Sequence, residues 1–285
     1  MRKSAVAYGF LLPYLAVFAV FWAWPIVQSI VYSLQNTRGA VPTFSLSANW
    51  GRLVGDPVFL RALAHTLILL VLQVPVMLVL AIGLAVALNA PSLRARGLFR
   101  FAFFAPVVVG EVAYSTVFRL LFNERYGAVN NALAWLGIAG PDWLNQPVPA
   151  FAVLIIAVTW RWTGYNAIII LAGLQSIPPE LYEAAHVDGV PRWRQFWRIT
   201  LPLLTPVVAF ATVLSIIGSL QLFVEPQLIT RSGPGGATET LGTYLYQQGF
   251  RAFNFGYAAA IGYATAMLAL VVSLAQVGLF RRPAR

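Results

Sequence analysis

The chain has 285 residues, of which 59% are hydrophobic and only 10% are charged. A soluble domain of this size carries roughly 25% charged residues, so the composition excludes an ordinary soluble protein and favours a membrane protein. The net charge of +10 comes from 19 basic residues scattered in short loops between apolar runs. Because these residues form no basic stripe, they predict a membrane orientation signal and no nucleic-acid partner.

Two residue types limit the chemistry that the chain can carry. It has no cysteine, which excludes disulfides, thiolate metal sites and a cysteine nucleophile. Its two histidines, His65 and His186, lie far apart in different predicted loops. A histidine metal cluster is therefore not expected.

Six apolar segments are long enough to cross a bilayer, which needs about 20 helical residues. They are Tyr8–Leu34, Thr66–Leu88, Leu98–Phe122, Ala150–Gln175, Leu201–Ile229 and Tyr257–Phe280. Backbone groups in lipid must be hydrogen-bonded within the protein, so the predicted fold class is an all-α membrane protein with six transmembrane helices in a single domain, residues 1–285. Prolines within the spans predict kinks or broken helices at Pro25, Pro75, Pro106 and Pro206.

The basic residues are distributed unequally between the two sides that six spans define. Eleven lie on the side of both termini: Arg2, Lys3, Arg94, Arg96, Arg100, Arg192, Arg194, Arg198, Arg281, Arg282 and Arg285. Seven lie in the opposite loops or at nearby helix ends: Arg38, Arg52, Arg61, Arg119, Arg125, Arg231 and Arg251. Since basic loops stay in the cytoplasm, both termini are predicted to be cytoplasmic. The outside loops are then Gln35–His65, Asn123–Pro149 and Thr230–Gly256.

A mostly polar segment, residues 176–202, separates the fourth and fifth predicted spans and lies on the cytoplasmic side. Ser176 near the cap, two prolines and Glu180 are typical of a helix N-terminus and predict a helix through Leu181–Val187. Asp188-Gly189 then predicts a turn.

After Pro191, the spacing of Trp193, Phe196 and Trp197 predicts a second short amphipathic helix. Taken alone, residues 176–202 fit either a loop packed under its own bundle or a contact surface for a soluble partner.

The same segment carries a longer pattern that resembles the EAA loop of binding-protein-dependent ABC importer permeases. The matching residues are Glu183-Ala184-Ala185, Asp188-Gly189, Phe196, Ile199, Leu201-Pro202 and Pro206. Four further segments also resemble carbohydrate permeases: Trp160–Asn166, Leu171–Leu174, Leu228–Pro234 and Tyr257–Ala260. The chain departs from the family pattern at two places: Ser232 replaces a glycine, and Val224-Glu225 stands where the family often has Phe-Asp. The similarity covers nearly the whole chain and is to the six-helix permeases of maltose, lactose, arabinose and glycerol-phosphate importers.

The resemblance implies a type I ABC importer permease fold, with residues 176–202 as a cytoplasmic loop that couples the membrane domain to an ATPase. Within this loop, Glu183 and Asp188 are the expected polar anchors and Gly189 is the expected bend. Trp193 and Phe196 are expected to pack. Ala184 and Ala185 keep one helix face small, so that another backbone can approach closely.

The resemblance also implies the partners of the chain. A Walker A site needs a lysine that reaches the nucleotide phosphates, and the only lysine here is Lys3, so ATP and Mg²⁺ are expected on a separate ATPase and no cofactor on this chain. The family implies an ABC ATPase dimer, a second similar permease in a heterodimer and an extracytoplasmic solute-binding protein. The outer loops are the expected docking surface for that protein, and a bacterial or archaeal plasma membrane is the expected location.

Charged residues within or near the ends of the spans mark a candidate solute pathway. A charge at the bilayer centre costs at least about 2.5 kcal/mol, so Glu111, Arg161 and Glu225 each need a pair or a watery cavity. In one interpretation, Glu225 accepts hydrogen bonds from sugar hydroxyls, and Trp160 or Trp162 stacks on a face of the sugar. The further pathway candidates are Tyr165, Asn166, Gln221, Arg161 and Trp160. In the other, Arg161 forms an ion pair with a glutamate that locks helices together, or these charges extend to an interface.

Two other functions compete with the ATP-driven importer of a sugar or related polar solute. A secondary transporter or channel would explain the charges in the spans but not the cytoplasmic loop. An intramembrane serine protease could use Ser232, but that residue lies in a Gly/Pro-rich outer loop with no histidine in the same region.

Overall fold

The computed structural model describes residues 2–37, 42–45, 47–90 and 92–280. Four of the arginines used to orient the chain lie outside these residues: Arg38, Arg281, Arg282 and Arg285. The helices are α1 Arg2–Phe18, α2 Trp24–Ser33, α3 Arg52–Gly55, α4 Pro57–Asn89, α5 Arg96–Val108, α6 Glu111–Leu121, α7 Ala128–Trp135, α8 Pro147–Gln175, α9 Glu180–Val187, α10 Arg192–Gln195, α11 Leu201–Leu220, α12 Leu241–Tyr246 and α13 Phe255–Phe280.

Short π-helical segments and one small hairpin complete the described secondary structure. The π-helical segments are Ala19–Ala23, Ser47–Gly51, Phe196–Thr200, Pro226–Thr230 and Gln247–Arg251. The strands β1 Gln35–Asn36 and β2 Thr43–Phe44 pair antiparallel, with Gln35 opposite Phe44. This two-stranded pair is a small exception to the predicted all-α architecture, and it lies in a predicted outer loop.

The six-span membrane fold is confirmed. Five apolar helical segments have the length and composition to cross a membrane: Phe10–Ser33, Pro57–Asn89, Pro147–Gln175, Arg192–Leu220 and Phe255–Gly278. The helices α5 and α6, which meet at an angle of 95°, pass the same test together and give six crossings when the bent pair counts as one span.

The third and fifth spans differ from their predictions. Leu98–Phe122 was predicted as one span, but the helix breaks at Val109 and Gly110, which both have extended backbone conformations. Val109 and Gly110 lie just beyond Pro106, so a broken helix occurs near that proline as expected. The fifth span begins earlier, at Arg192, and ends at Leu220 instead of Ile229. Residues 221–223 leave the helix, and helical backbone resumes at Val224 just before the π-helical segment. By contrast, α4 continues through Pro75 and α11 through Pro206.

Two compact units make up the fold. The first comprises Met1–Leu60 and Tyr244–Ala266, and the second comprises Arg61–Thr243 and Met267–Arg285. The second unit contains α5, α8 and α11, and its buried core clusters include Leu154, Ala167 and Leu204. The predicted single domain remains a prediction.

A close crossing of α5 and α8 holds the second unit together. Gly164 of α8 lies so near the backbone of α5 that an added Cβ would overlap the carbonyl oxygen of Phe103. Glycine is required here because two backbones touch, which is the small-residue contact typical of membrane helices. This contact fixes the position of the neighbouring residue Arg161 relative to the break in the third span.

A buried carboxylate organises the first unit. Asp56 precedes α4, and its Oδ1 accepts hydrogen bonds from the backbone N–H groups of Val58 and Phe59 at 2.9 and 3.4 Å. Its Oδ2 accepts from the hydroxyls of Tyr244 and Tyr257 at 2.6 and 2.7 Å. Burial alone would raise the pKa of Asp56, but these four donors stabilise the anion and hold the pKa below its usual value. Asp56 is thus an N-cap that also joins three helices.

Candidate functional site

Residues 176–202 form a compact segment that links α8 to α11, which we call the coupling segment after its predicted role. The predicted helix is present as α9, and it ends at Asp188 with Gly189 in the left-handed region at φ +69°. The N–H of Val190 donates to the carbonyl of Ala185 at 2.9 Å, and the N–H of Gly189 donates to that of His186 at 3.0 Å. These two bonds make a Schellman motif, in which glycine at the left-handed position avoids a Cβ penalty.

Two side-chain hydrogen bonds attach this short helix to the start of the fifth span. The hydroxyls of Tyr182 and Thr200 are 2.9 Å apart. Beyond the turn, the amide of Gln195 donates to the carbonyl of Val190 at 2.7 Å. The coupling segment is therefore tied at both ends of α9 to the Arg192–Leu220 helix.

The structure corrects two local predictions for this segment. Ser176 does not cap α9; it ends α8, where its hydroxyl donates to the carbonyl of Gly173 at 2.8 Å. The predicted second short helix is not separate, because residues 192–200 continue directly into α11. A helical extension of the fifth span therefore takes the place of the predicted second short helix.

The predicted coupling residues lie on one exposed segment. Glu183, Ala184, Asp188 and Gly189 are exposed, and Ala185 is buried. Trp193 is 63% exposed although its indole is a large apolar group, and Phe196 is half-buried with its ring 5.4 Å from that of Trp197. A surface with exposed charges of both signs and exposed aromatic rings, on a well-fixed turn, is therefore available for contact with another protein.

A cavity of about 430 Å³ lies within the second unit, between α4, α8, α11 and residues 221–225, which follow α11. Its lining residues are Gln73, Met77, Glu111, Val158, Trp162, Tyr165, Asn166, Leu214, Ser215, Gly218, Ser219, Gln221, Leu222, Phe223, Val224 and Glu225. This volume falls in the range of small-molecule sites, and mostly apolar walls with a few polar groups are typical of them.

Four predicted pathway residues meet in this cavity: Tyr165, Asn166, Gln221 and Glu225. Asn166 is 3% exposed, and its amide donates to the backbone carbonyl of Trp162 at 3.0 Å. Its Oδ1 accepts a 3.4 Å hydrogen bond from Ser215. The side-chain amide is therefore oriented by α8 and α11 together.

Glu225 is the most deeply placed acid of the cavity. It is 4% exposed and accepts a hydrogen bond from the hydroxyl of Tyr114 on α6. The early end of α11 at Leu220 explains this position, because the non-helical residues 221–223 change the direction of the chain, and Glu225 follows them on the cavity lining.

The two remaining pathway candidates lie outside the cavity lining. Trp160 is 45% exposed, with its ring 5.3 Å from that of Phe118. Arg161 is buried, and its Nη1 donates to the carbonyl of Val109 at 3.0 Å. Its Nη2 lies 3.6 Å from the carboxylate of Glu111, as in the alternative interpretation of an Arg161–glutamate pair.

Arg161 thus supports the break in the third span. A broken helix leaves carbonyl groups without their usual partners, and such groups are costly in lipid unless a side chain satisfies them. The guanidinium of Arg161 does this for Val109 and also lies 4.5 Å from the centre of the Tyr114 ring.

Three polar lining residues were missed by the sequence reasoning: Gln73, Ser215 and Ser219. Gln73 had a detectable signal, since it is a strongly polar side chain in the middle of an otherwise apolar span. The two serines had none, because serine is common in membrane helices and can bond to its own backbone, as Ser215 does with Ala211.

Comparison with known proteins gives consistent matches over nearly the whole chain. A family model described as "Binding-protein-dependent transport system inner membrane component" matches residues 43–285. The chain is 46% identical over 272 residues to the lactose transport system permease protein LacF of Rhizobium radiobacter, a match that covers 94% of this chain and 91% of that protein.

Solved structures show the same architecture. A chain of a bacterial ABC transporter involved in the import of the acidic polysaccharide alginate superposes with a TM-score of 0.87 at 26% identity, covering 100% of this chain and 98% of that chain. A chain of the bacterial alginate ABC transporter in complex with an alginate pentasaccharide-bound periplasmic protein gives a TM-score of 0.85 at 26% identity, with 99% and 96% covered.

Proposed function

The chain belongs to the family of binding-protein-dependent transport system inner membrane components, and from this premise we propose that it carries a carbohydrate into the cell. It is a permease subunit of an ABC importer and not an enzyme, since ATP hydrolysis in such importers belongs to a separate ATPase. The family assignment favours this function over a secondary transporter or channel, which the charges in the spans would also fit.

The cavity is the observation that carries the carbohydrate assignment. Its polar lining combines amides, hydroxyls and carboxylates, among them Asn166, Gln221 and Glu225, with the aromatic rings of Trp162 and Tyr165. Such groups match the alternating hydroxyls and apolar ring faces of a sugar, and buried polar groups discriminate strongly for a ligand that completes their hydrogen bonds. The 46% identity to a lactose permease supports the same class of solute.

The remaining partners follow from the importer assignment. In our proposal the chain pairs with a second, similar permease, an ABC ATPase dimer that binds ATP and Mg²⁺, and an extracytoplasmic solute-binding protein, in a bacterial or archaeal plasma membrane. Large apolar side chains along Phe10–Ser33 are exposed on the isolated chain, which leaves surface for lipid and for the second permease. The excess of basic residues on the side of the termini supports cytoplasmic termini and a cytoplasmic coupling segment.

The coupling segment would transmit closure of the ATPase to the spans. Glu183 and Asp188 are exposed acids that can anchor it, and Trp193 offers an exposed apolar contact. Because α9 is hydrogen-bonded to the start of the fifth span, force on this surface would move the helix as a rigid body.

The solute is tested with the reconstituted complex, including the cognate binding protein. We expect lactose or a related oligosaccharide to stimulate ATP hydrolysis and to be taken up only when ATP is supplied. Stimulation by amino acids or inorganic ions but by no carbohydrate would contradict the proposal, and ATP-independent uptake by the chain alone would favour a secondary transporter.

The coupling role is tested at Gly189. Nothing lies within 4 Å of an added Cβ at this position, so a substitution acts through the backbone and not through a clash. Gly189→Val should distort the turn, because a β-branched residue is strained at φ +69°, and should lower ATP-driven uptake at least about tenfold at an unchanged melting temperature.

Gly189→Asn is the matched control, since asparagine tolerates the left-handed region, and it should keep most of the uptake. Asp188→Lys should also uncouple transport, by reversing a charge at the contact. Normal uptake in both Gly189→Val and Asp188→Lys would refute the coupling role.

A further inference from the structure

The cavity has an acidic character that bears on which solutes it accepts. Glu111 and Glu225 are both lining residues, and among the described residues of the lining none is basic. Glu111 is partly neutralised by Arg161, whereas Glu225 is buried with a hydroxyl as its partner. The fixed charge facing a bound solute is therefore negative.

The nearest arginine is directed away from the solute. Its two terminal nitrogens are engaged by Val109 and Glu111, and its charged plane faces the ring of Tyr114. An arginine held by a backbone carbonyl, a carboxylate and an aromatic face has no free pair of parallel N–H groups that could bind a solute carboxylate. Arg161 therefore does not give the cavity an anion site.

Gln73 gives an independent sign that the cavity is built for a ligand. It lies on α4, is 2% exposed and lines the cavity. Its Oε1 accepts a hydrogen bond from Ser219 at 3.1 Å, which orients the amide. Within the part of the chain that the structure describes, its Nε2 has no hydrogen-bond partner. A buried amide N–H₂ without a partner is costly, so this group requires an acceptor from outside the protein.

We propose that the cavity selects an uncharged saccharide over an acidic one, with Gln73 as the donor to a sugar oxygen and Glu225 as the acceptor that repels carboxylates. This proposal rests on the carbohydrate function above and narrows its substrate class. An uncharged sugar offers hydroxyls that satisfy both residues at once. A uronic acid places an anion beside Glu225 in a largely apolar enclosure, where repulsion is poorly screened.

A matched pair of sugars tests the charge selection. Cellobiose and cellobiouronic acid differ by one carboxylate in place of one hydroxymethyl group. They are titrated against the purified complex in nanodiscs at pH 7.5, without the binding protein, following the change in total tryptophan emission, with a Trp162→Phe complex to identify the contribution of Trp162 in the cavity wall. We expect cellobiouronic acid to bind at least about tenfold more weakly, which corresponds to about 1.4 kcal/mol.

Three variants assign this difference to the named residues. Glu111→Gln combined with Glu225→Gln keeps the side-chain shapes and should reduce the gap to less than about threefold by improving the binding of the acid. Gln73→Leu should weaken the binding of cellobiose at least about tenfold, because the sugar loses a buried hydrogen-bond donor. Leu80→Met, an apolar exchange at an exposed position of α4 outside the cavity lining, should change the affinity for neither sugar, and melting temperatures verify that all variants fold.

Equal or tighter binding of cellobiouronic acid would overturn the proposal, as would a gap that persists in the double glutamine variant. Absence of binding by both sugars would overturn the cavity as the saccharide site. Import itself is judged separately, by ATP-driven uptake with the binding protein, so a failed cavity assignment and a failed carbohydrate function give different results.

Discussion

Two buried charges, Asp56 in the first compact unit and Arg161 in the second, are stabilised in different ways. Asp56 receives four hydrogen bonds from two backbone N–H groups and two tyrosines, which fully occupy its carboxylate. Arg161 has partners at its terminal nitrogens, but within the described residues its buried Nε has none. Its acidic partner, Glu111, is about half exposed and also lines the cavity.

The difference shows what each charge does for the fold. A carboxylate with four donors holds several helices in one arrangement and leaves no group for a solute. A guanidinium that satisfies a broken helix and an acid at the cavity wall contributes to stability and to the charge of the site together. Substitutions at or near these residues can separate the two roles.

The largest effect is expected at the glycine that positions Arg161. Gly164→Ala would place a methyl group against the carbonyl of Phe103, and neither backbone can move without displacing a whole helix. We expect a loss of about 3 kcal/mol or more in unfolding free energy, or failure to fold, measured by thermal unfolding in nanodiscs. Gly83→Ala, where nothing lies within 4 Å of the added Cβ, should stay close to wild type. Equal melting temperatures for the two variants would contradict the close helix contact.

Removing the buried cation should have the next largest effect. Arg161→Met provides a long unbranched side chain but leaves the carbonyl of Val109 without its hydrogen-bond donor. This loss should lower the free energy of unfolding by about 2 kcal/mol. Arg161→Lys keeps the positive charge but loses the planar guanidinium, so its unfolding free energy should lie between those of wild type and Arg161→Met. Chemical unfolding followed by tryptophan emission measures the difference, and a neutral effect of Arg161→Met would show that the break in the third span is stable without this residue.

Replacing Asp56 by asparagine should lower the free energy of unfolding by about 1.5 kcal/mol. Asp56→Asn loses the charge-assisted hydrogen bonds from the two tyrosines, but its side-chain oxygen can still accept hydrogen bonds. The effect should depend on pH in a defined direction. The pKa of Asp56 is lowered in the folded state, so its stabilisation is fully present above the unfolded value of about 3.9 and is lost as the pH falls through the folded value. Burial, and then the bond to Asp56, raises the pKa of Tyr244 to about 12, so this donor stays protonated at neutral pH.

The stability gap between wild type and Asp56→Asn should therefore be constant from pH 6 to 8 and shrink below about pH 4. Melting temperatures across this range provide the measurement. A gap that widens in acid would contradict the lowered pKa.

The smallest effect is expected for the acid that faces the cavity. Glu111→Gln should change stability by less than about 1 kcal/mol, because the glutamate is half exposed and its bond to Arg161 is long. Its consequence should instead appear in the ratio of neutral to acidic sugar binding. A stability loss as large as that of Arg161→Met would show that the ion pair, and not the cap on Val109, supports the broken span.

The sequence was most informative where the signals are local. The helix α9 and its turn could be predicted because the prolines, Glu180 and Asp188-Gly189 are adjacent in the chain and determine backbone conformation directly. A broken helix near Pro106 was expected, but the 95° bend at Val109 and Gly110 was not, since its support comes from Arg161, a donor about fifty residues away. The early end of the fifth span was hidden by the apolar character of residues 221–229.

The cavity illustrates the same limit. Asn166 and Glu225 could be nominated because polar residues are rare in spans, but their meeting with Gln73 depends on the packing of three helices. Asp56 followed by Pro57 has the form of a helix cap, yet its tyrosine donors come from residues 244 and 257, and nothing in the local sequence points to them.

The unbroken helix from Arg192 to Leu220 has a mechanical consequence. Trp193 on the coupling segment and Ser215 in the cavity wall lie on this one helix, roughly 33 Å apart at about 1.5 Å per residue. As a stiff lever of that length, it would turn a rotation of about 10° at the coupling segment into a displacement of about 6 Å at the wall, more than the diameter of a water molecule. The continuity of one helix would thus carry a movement of the coupling segment directly to the cavity wall.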